Sequence, residues 1–224
     1  NSIHKKFLLK AHNIATKNLG NTFPNPSVGC IIVNNNKIIS SAGTASQGRP
    51  HAEEIALKKA GSRAKGATMY VTLEPCNHIS ENGSCSEQII NCGIKSIYIA
   101  KKDNDPRTNG KSIKKFRLNN IKTFVGTTSQ NTINLKKFFF ESIKNKRPFI
   151  KAKMAISKDE KIAWKDYSSK WISNVKSRNF AHKLRFESQA ILTTSKTVLK
   201  DNPRFTVRKN NKIIKYLPVI IIDR

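Results

Sequence analysis

The chain has 224 residues, a formal net charge of +28 and 38% hydrophobic residues. This length is enough for one large domain or two modest domains, each with a hydrophobic core. No apolar run approaches the ~20 residues that span a bilayer, and the N-terminal segment lacks the pattern of a signal peptide. We therefore expect a cytoplasmic protein without a membrane partner.

The basic charge is spread along the chain. Lysine outnumbers arginine 32 to 10 and occurs in nearly every segment. Proteins that bind nucleic acid usually concentrate their basic residues on one surface, whereas a scattered excess is typical of a composition bias. The charge therefore does not make nucleic acid an expected partner.

The first half of the chain alternates helical and strand patterns. Apolar residues recur at helical spacing from Ser2 to about Leu19. Two β-branched runs at 28–33 and 37–40 flank Asn34-Asn35-Asn36, and asparagine tolerates the left-handed conformations of a hairpin turn. The later predicted elements are a helix at 50–60, a strand at 68–73, a helix at 85–92, a strand at 96–100, a helix at 113–118 and a strand at 121–125. This order predicts an α/β fold, a mixed sheet with helices on both faces.

A second α/β pattern follows a predicted break in the chain. A basic helix over 129–146 is ended by Pro148. We place the boundary near Arg147, which gives a first domain over 1–146 and a second over 147–224. The elements predicted in the second domain are a strand at 149–156, a helix at 175–186, a strand at 190–193 and a strand at 217–224. The last run has the pattern of a buried core strand, so we expect the chain to be part of a longer protein.

Three potential metal ligands and one carboxylate form the most informative group of residues. His51 and Cys85 lie at predicted helix starts, and Cys76 follows a predicted strand. Imidazole and thiolate ligands suit zinc, and three protein ligands leave a fourth position for water, as in catalytic zinc sites. Glu53 is a carboxylate in the same motif that can carry protons without binding the metal. The group predicts a catalytic Zn²⁺ site.

A closed structural zinc site is the alternative to a catalytic one. It would need a fourth Cys or His ligand, and Cys30, Cys92, His12 and His78 are the nominal candidates. Cys30 lies inside an apolar strand and Cys92 precedes a helix-ending glycine, so both are predicted to be small core residues. For His78 two interpretations stand, a polar residue of the substrate site or an incidental loop residue.

The His-x-Glu and Pro-Cys motifs resemble those of zinc-dependent nucleobase deaminases. Eight residues separate Cys76 from Cys85, whereas tRNA adenosine deaminases have two at this place. This spacing identifies a resemblance to the RibD family of bifunctional riboflavin-biosynthesis enzymes. The matching segments are 25–30, 50–53, 66–76 and 84–85. The resemblance implies a cytidine-deaminase-like fold for the first domain.

The resemblance also implies a reaction on a small-molecule substrate. Members of the family deaminate 2,5-diamino-6-(5-phosphoribosylamino)pyrimidin-4-one to 5-amino-6-(5-phosphoribosylamino)uracil. By this resemblance Asn25 would contact the substrate, and the stretch 103–111 looks like the family's substrate-facing loop. His78 is the second residue that we expect to contact the substrate. Two other functions are alternatives, a tRNA deaminase and a non-catalytic basic zinc module that binds RNA. The inter-cysteine spacing counts against the first, and Glu53 counts against the second. The oligomeric state stays open, with a homo-oligomer among the options.

Beyond the predicted boundary the sequence resembles the front half of the RibD reductase domain, whose fold is similar to that of dihydrofolate reductase. The matching segments are 147–155, 169–173, 184–185 and 190–208. The resemblance implies an incomplete α/β domain and NADPH as a cofactor. It assigns NADPH contacts to Ala155, Trp171, Thr197 and Asp201, and substrate contacts to Ser169, Arg185, Phe205 and Arg208. The two arginines suit a ribose phosphate, because the guanidinium fork can hold a phosphate through two hydrogen bonds. The alternative for both arginines is ordinary solvated charge.

Overall fold

The computed structural model describes residues 2–78, 83–126, 137–168 and 171–223. The chain forms two compact units, Asn1–Phe149 and Ile150–Arg224. None of the helices in the described ranges is long and apolar enough to cross a membrane.

The first unit contains five helices and five strands among its described residues. In chain order they are α1 Ser2–Asn18, β1 Gly29–Asn34, β2 Lys37–Gly43, α2 Ala52–Ala60, β3 Thr68–Val71, α3 Cys85–Asn91, β4 Ser96–Ile99, α4 Lys111–Leu118, β5 Lys122–Val125 and α5 Lys137–Asn145. The predicted hairpin is confirmed, since Asn35 and Asn36 have φ angles of 47° and 59°. Of the helix predicted over 129–146, residues 129–136 lie outside the described ranges.

The sheet of this unit brings several loops to one edge. Its strand order is β2-β1-β3-β4-β5. Strand β1 runs antiparallel to β2 and β3, whereas β3, β4 and β5 run parallel to one another. Consequently β2, β3 and β4 all end at the edge where β1 begins. The chain before β1 and the chains after β2, β3 and β4 therefore meet at this edge, where open α/β sheets place their sites.

Side-chain alternation along the strands gives the sheet two buried faces. Successive residues of a strand point to opposite faces, so odd and even positions pack against different helices. One face packs α1 against the sheet through Phe7, Leu8, Ala11, Ile31, Val33 and Tyr70. The other carries the larger core, which includes Ile32, Met69, Val71, Ile97 and Ile99 of the sheet with Ala56, Ile89 and Phe116 of the helices. Helices therefore cover both faces, as the sequence predicts.

The second unit is built from shorter elements. Its described elements are α6 Val175–Phe186, β6 Ile191–Thr194, α7 Ser195–Asp201, β7 Val207–Lys209, β8 Lys212–Lys215 and β9 Val219–Ile222. Strands β6 and β9 pair in parallel, and β7 and β8 form an antiparallel hairpin. Asn210 and Asn211 form its turn with φ angles of 49° and 61°. The sequence analysis missed this hairpin, although the same Asn-Asn signal predicted the first one.

Two expectations for the second unit are wrong. The backbone over 149–156 forms no strand, because no strand of the described ranges pairs with it. Strand β9 does form, but its four side chains are 37–54% exposed instead of buried. An apolar run predicts a strand, whereas burial also requires a second layer packed over that strand. Within the described residues, β9 pairs with β6, and the side chains of β9 are exposed to solvent.

Candidate zinc and substrate sites

Three elements bring His51, Cys76 and Cys85 together at the edge where β2 and β3 end. His51 is the N-cap of α2, which follows β2. Cys76 lies five residues beyond the end of β3, and Cys85 is the first residue of α3. The topology therefore supplies one ligand from a loop after a strand and two from helix starts, as the sequence predicts.

The three candidate ligand atoms of this cluster lie within 4.8 Å of one another. His51 Nδ1 is 3.3 Å from the Cys85 sulfur and 3.6 Å from the Cys76 sulfur. Zinc–sulfur and zinc–nitrogen bonds of usual length in a tetrahedral site place nitrogen and sulfur about 3.5 Å apart. The donor set and its spacing therefore fit a zinc ion. Among the described residues this is the one group of three or more His, Cys, Asp or Glu side chains with such a spacing.

Local hydrogen bonds fix the two helix starts that carry ligands. The His51 backbone N–H donates to the Glu54 carboxylate at 2.6 Å, which holds the ligand at the first turn of α2. Ser84 and Glu87 form a capping box: Glu87 N–H donates to the Ser84 hydroxyl, and Ser84 N–H donates to the Glu87 carboxylate. Cys85 then points its own backbone N–H at the Cys76 sulfur, at 3.4 Å.

The electrostatics of the cluster favour a thiolate at Cys76. A hydrogen bond from the Cys85 side chain and another from His51 lower the pKa of Cys76 to about 4. The pKa of Cys85 is raised, first by its hydrogen bond with Cys76 and then by burial. Burial lowers the pKa of His51, but the hydrogen bond with Cys76 and the charge of Glu53 outweigh it and raise the pKa overall. The cluster can therefore present a negatively charged ligand to a cation.

Glu53 lies beside the ligands. Its side chain is 3% exposed, and its charge acts on His51 and Cys85. Cys30 is fully buried in β1, where burial raises its pKa, and Cys92 is half-buried after α3. Neither cysteine belongs to the three-ligand group, which agrees with their prediction as small core residues. The described residues thus hold three ligands and a separate buried carboxylate.

Asn25 contacts a ligand of the cluster. Its Nδ2 donates to the Gly48 carbonyl at 2.9 Å and lies 3.4 Å from His51 Nε2, the ring nitrogen that faces away from the two sulfurs. Gly48 has a φ of 84°, and a side chain there would lie 2.9 Å from the Asn25 side chain. Asn25 can therefore orient the His51 ring, a role that the sequence analysis did not assign to it.

His78 lies close to the loop that follows β4. Its ring is half-buried, and Nδ1 is buried without a hydrogen-bond partner in the part of the chain that is described. The charge of His78 acts on Asp105, which places the ring near the loop over 103–110. The predicted role of His78 in substrate binding stays a prediction.

The second unit gathers two of the predicted substrate residues into a cationic cluster. Arg185 donates to the Thr206 carbonyl at 3.3 Å, and the Arg208 backbone N–H donates to His182 Nδ1 at 3.2 Å. Burial, followed by the charge of Arg208, lowers the pKa of Arg185. In the described ranges, Arg208 Nε and the Thr206 hydroxyl are buried without a hydrogen-bond partner. The half-buried Phe205 precedes Thr206 with a φ of 51°.

The predicted NADPH residues lie on separate segments. Thr197 is in the first turn of α7, where its N–H donates to the Thr194 hydroxyl, and Asp201 ends the same helix. Trp171 is 71% exposed, with the Arg178 guanidinium 4.4 Å from its ring centroid. Ala155 is half-buried in the non-strand segment over 149–156. Ser169, a predicted substrate residue, lies outside the described residues.

Sequence reasoning missed three residues near these sites. Glu74 is a buried carboxylate two residues before Cys76, and His182 and Thr206 complete the arginine cluster. An acidic residue directly after an apolar strand was a signal for Glu74. His182 and Thr206 carried no signal, because their partners are distant in the sequence.

Two family models match the chain. Residues 1–101 match the cytidine and deoxycytidylate deaminase zinc-binding region, and residues 148–224 match the RibD C-terminal domain. The riboflavin biosynthesis protein RibD of Aquifex aeolicus is 42% identical over 206 residues, and that of Escherichia coli is 35% identical over 202 residues. The chain belongs to the RibD family. These alignments cover 92% and 90% of this chain but 58% and 55% of the two relatives, so the chain spans little more than half of their length.

Solved structures of RibD proteins share the fold. The diaminohydroxyphosphoribosylaminopyrimidine deaminase/5-amino-6-(5-phosphoribosylamino)uracil reductase of Thermotoga maritima matches with a TM-score of 0.89 and 36% identity. RibD of Acinetobacter baumannii matches with a TM-score of 0.90 and 32% identity. Both matches cover 100% of this chain and 64% of the other. The predicted fold class, a cytidine-deaminase-like sheet followed by a second α/β domain of the RibD reductase type, is confirmed.

Proposed function

We propose that this RibD-family chain catalyses the zinc-dependent hydrolytic deamination of 2,5-diamino-6-(5-phosphoribosylamino)pyrimidin-4-one to 5-amino-6-(5-phosphoribosylamino)uracil. The observation that carries the proposal is the cluster of His51, Cys76 and Cys85 beside the buried carboxylate of Glu53. Within the proposed domain over 1–146, three ligands and a separate acid/base group are the parts that a hydrolytic zinc site needs.

The candidate zinc ligands and Glu53 have separate roles in the proposed reaction. A zinc ion held by His51, Cys76 and Cys85 would lower the pKa of a water molecule to roughly 7 and so would supply a nucleophile at neutral pH. Glu53 accepts one proton of the attacking water and delivers it to the ring nitrogen, and it then passes the second proton of the same water to the leaving amino group. The C2–N bond breaks, ammonia leaves and a carbonyl remains on the ring. Burial of Glu53 beside His51 and Cys85 keeps the carboxylate within reach of these proton transfers.

Substrate binding is proposed for Asn25 and His78. Asn25 contacts His51, so its amide lies close to the cluster of candidate ligands. His78 carries a buried Nδ1 without a partner among the described residues, and a polar group of the substrate can satisfy it. The assignment of Asn25 also follows from the motif that it shares with the RibD family.

Ammonia release tests the deaminase. We expect the zinc-loaded chain to release ammonia from the phosphoribosylated diaminopyrimidinone without NADPH, because the reaction is a hydrolysis. Cytidine and tRNA serve as control substrates, and neither should yield ammonia. The proposal fails if tRNA or cytidine is deaminated and the diaminopyrimidinone is not. A zinc-loaded chain that binds RNA and releases no ammonia from any substrate would favour the RNA-binding zinc module.

For the second unit we propose a part in NADPH-dependent reduction of the ribosyl side chain in the full-length protein. NADPH would supply the hydride, with contacts to Ala155, Trp171, Thr197 and Asp201. The substrate side would be held by Ser169, Arg185, Phe205 and Arg208. The cluster of Arg185 and Arg208 supports this assignment, because two half-buried positive charges beside the buried, unpartnered Nε donor of Arg208 are suited to a phosphate group.

Binding of ribose 5-phosphate tests this second site without requiring reduction. We expect the chain to bind ribose 5-phosphate, and Arg185→Ala to weaken binding about tenfold or more, since a charge-assisted pair of hydrogen bonds is lost. Lys183→Ala is the matched control, because Lys183 is an exposed cation on the same helix. Equal losses in the two variants would show that general charge, and not the cluster, holds the phosphate.

A further inference from the structure

A buried carboxylate near the zinc ligands has no part in the proposed proton transfers. Glu74 lies between the end of β3 and Cys76, and its side chain is 2% exposed. One carboxylate oxygen accepts the backbone N–H of Asp103 at 3.1 Å and that of Gly110 at 3.0 Å. The other oxygen accepts the Ser112 hydroxyl at 2.7 Å. Glu74 therefore satisfies three donors from the chain that follows β4.

These contacts tie the two ends of one loop to a single side chain. The loop runs from Asp103 to Gly110, and its ends meet on the same oxygen of Glu74. Within the loop, Asp105 N–H donates to Asp103 at 2.9 Å, and Arg107 binds the Asp105 carboxylate through Nε and Nη2. The loop is therefore closed at its base by Glu74 and stiffened internally by an aspartate–arginine pair.

The closed loop lies beside the zinc ligands. The charge of Asp105 interacts with His78, and the charge of Arg107 interacts with Cys76. Glu74 itself is two residues from Cys76 along the chain. The same side chain thus belongs to the segment that carries a ligand and holds the loop that borders the ligands. A shift of Glu74 would move the loop relative to the cluster.

The number and direction of the donors favour a carboxylate at this position. Two backbone N–H groups converge on one oxygen, and a backbone N–H cannot turn to accept. A glutamine satisfies all three donors in one orientation only, with its oxygen towards the two amides and its NH₂ group towards the Ser112 hydroxyl, which can reverse its direction to accept. Glutamine also lacks the negative charge, and hydrogen bonds to a charged group are stronger than neutral ones, so the contacts that close the loop would weaken.

We propose that Glu74 is a positioning residue that sets the loop over 103–110 as a wall of the substrate site. The inference rests on the proposed deaminase function and adds to it the group that fixes the wall. Glu74 acts through Asp105 and Arg107, whose charges interact with His78 and Cys76, and it does not itself touch the reacting atoms. Replacement of Glu74 is therefore expected to weaken substrate binding more than it slows the chemical step.

Kinetics and zinc content of Glu74→Gln test the proposal. We expect one zinc per chain, as in the unmodified protein, with KM raised about tenfold because charge-assisted hydrogen bonds that order the loop are lost. We expect kcat to change by less than about threefold, since Glu53 and the ligands are untouched. An unchanged KM in a folded, zinc-loaded Glu74→Gln protein overturns the proposal. So does a loss of kcat and zinc together without a rise in KM, which would indicate a purely structural role.

Ser112→Ala is the second variant and keeps the test decisive if Glu74→Gln does not fold. It removes one donor to Glu74 and leaves the two backbone contacts, so we expect a KM increase of about threefold in the same direction. An unchanged KM in Ser112→Ala, where Glu74→Gln fails to fold, contradicts the proposal.

Hydrogen exchange separates this inference from the proposed function. We expect the peptide over 103–110 to exchange faster in Glu74→Gln than in the unmodified chain, whatever reaction the protein catalyses. If the unmodified chain releases no ammonia, the deaminase proposal fails, and faster exchange still supports Glu74 as the anchor of the loop. Unchanged exchange shows that Glu74 does not hold the loop and overturns the inference.

Discussion

The zinc cluster of the first unit and the arginine cluster of the second are opposite in their internal electrostatics. In the zinc cluster the groups favour one thiolate: Cys85 and His51 donate to Cys76 and lower its pKa, while the hydrogen bond with Cys76 raises the pKa of Cys85. In the arginine cluster the positive charges of Arg185 and Arg208 repel each other, and burial together with these two charges lowers the pKa of His182. A negatively charged thiolate is suited to a cation, whereas a group of positive charges is suited to an anion.

The two clusters also differ in what holds them. The zinc ligands lie at an edge where three strands end over a core that is buried on both faces. The arginine cluster joins α6 to β7 in a unit whose apolar strand β9 is largely exposed. We therefore expect the first site to depend on a few ligand contacts and the second to respond to changes of charge within the cluster.

The largest expected effect is the loss of a ligand. Cys85→Ser should remove zinc and abolish ammonia release, because three protein ligands are the minimum of such a site. Zinc content and activity are measured on the same sample. Cys92→Ser is the matched control, since Cys92 is a half-buried thiol outside the cluster and its replacement should leave zinc bound. Equal zinc loss in the two variants would contradict the ligand assignment.

Loss of the acid/base group should abolish turnover and spare the metal. We expect Glu53→Ala to keep one zinc per chain and to lower kcat by about 10²–10⁴-fold, the usual contribution of a positioned proton-transfer group. Turnover and zinc content are again measured together. Near-normal turnover in a zinc-loaded Glu53→Ala protein would remove Glu53 from the mechanism.

Replacement of Asn25 tests whether a residue beside the cluster affects its zinc affinity. Asn25→Ala removes the contact to His51 Nε2, and we expect zinc affinity to fall about 10- to 100-fold, as is usual for groups that orient a metal-binding histidine. Competition with a chelator of known affinity measures the change. If zinc affinity is unchanged and KM alone rises, Asn25 is a substrate residue only, as the sequence first indicated.

The smallest expected effect is a pH dependence from the arginine cluster. Burial, then Arg185 and Arg208, lower the pKa of His182 in the folded protein. The unfolded chain therefore binds a proton more readily, and stability should fall as the pH drops below about 6.5, the usual histidine value. Denaturant unfolding of the second unit, followed by hydrogen exchange over 175–209, measures it. His182→Gln should flatten this dependence, and an unchanged slope in that variant would locate its origin elsewhere.

Much of the fold of the first unit could be predicted from the sequence. Helical and strand periodicities gave the elements within a few residues, because those patterns follow from local geometry. In the second unit the same reasoning predicted α6 correctly but gave a strand over 149–156 and a buried β9, which the structure does not have. Both errors concern partners, since strand pairing and burial depend on segments that the local pattern does not contain.

The candidate sites divide in the same way. The candidate zinc ligands and Glu53 could be predicted from the sequence because they belong to short motifs that are typical of their chemistry. Three contacts could not be predicted from the sequence: that of Asn25 with His51, that of Glu74 with the loop over 103–110, and that of His182 with Arg208. These contacts join residues 26, 29 and 26 positions apart.

The sequence by itself determined the candidate donor set for zinc, the carboxylate that we propose for proton transfer and the α/β order of the chain. These are properties of residue types and of local periodicity, which the chain carries whatever its neighbours are. Only the tertiary structure decided which side chains orient His51, which carboxylate closes the loop beside Cys76 and which charges gather around Arg208. Those arrangements form where strand ends and helix starts from distant parts of the chain come together. A local sequence pattern does not predict which of these segments become neighbours.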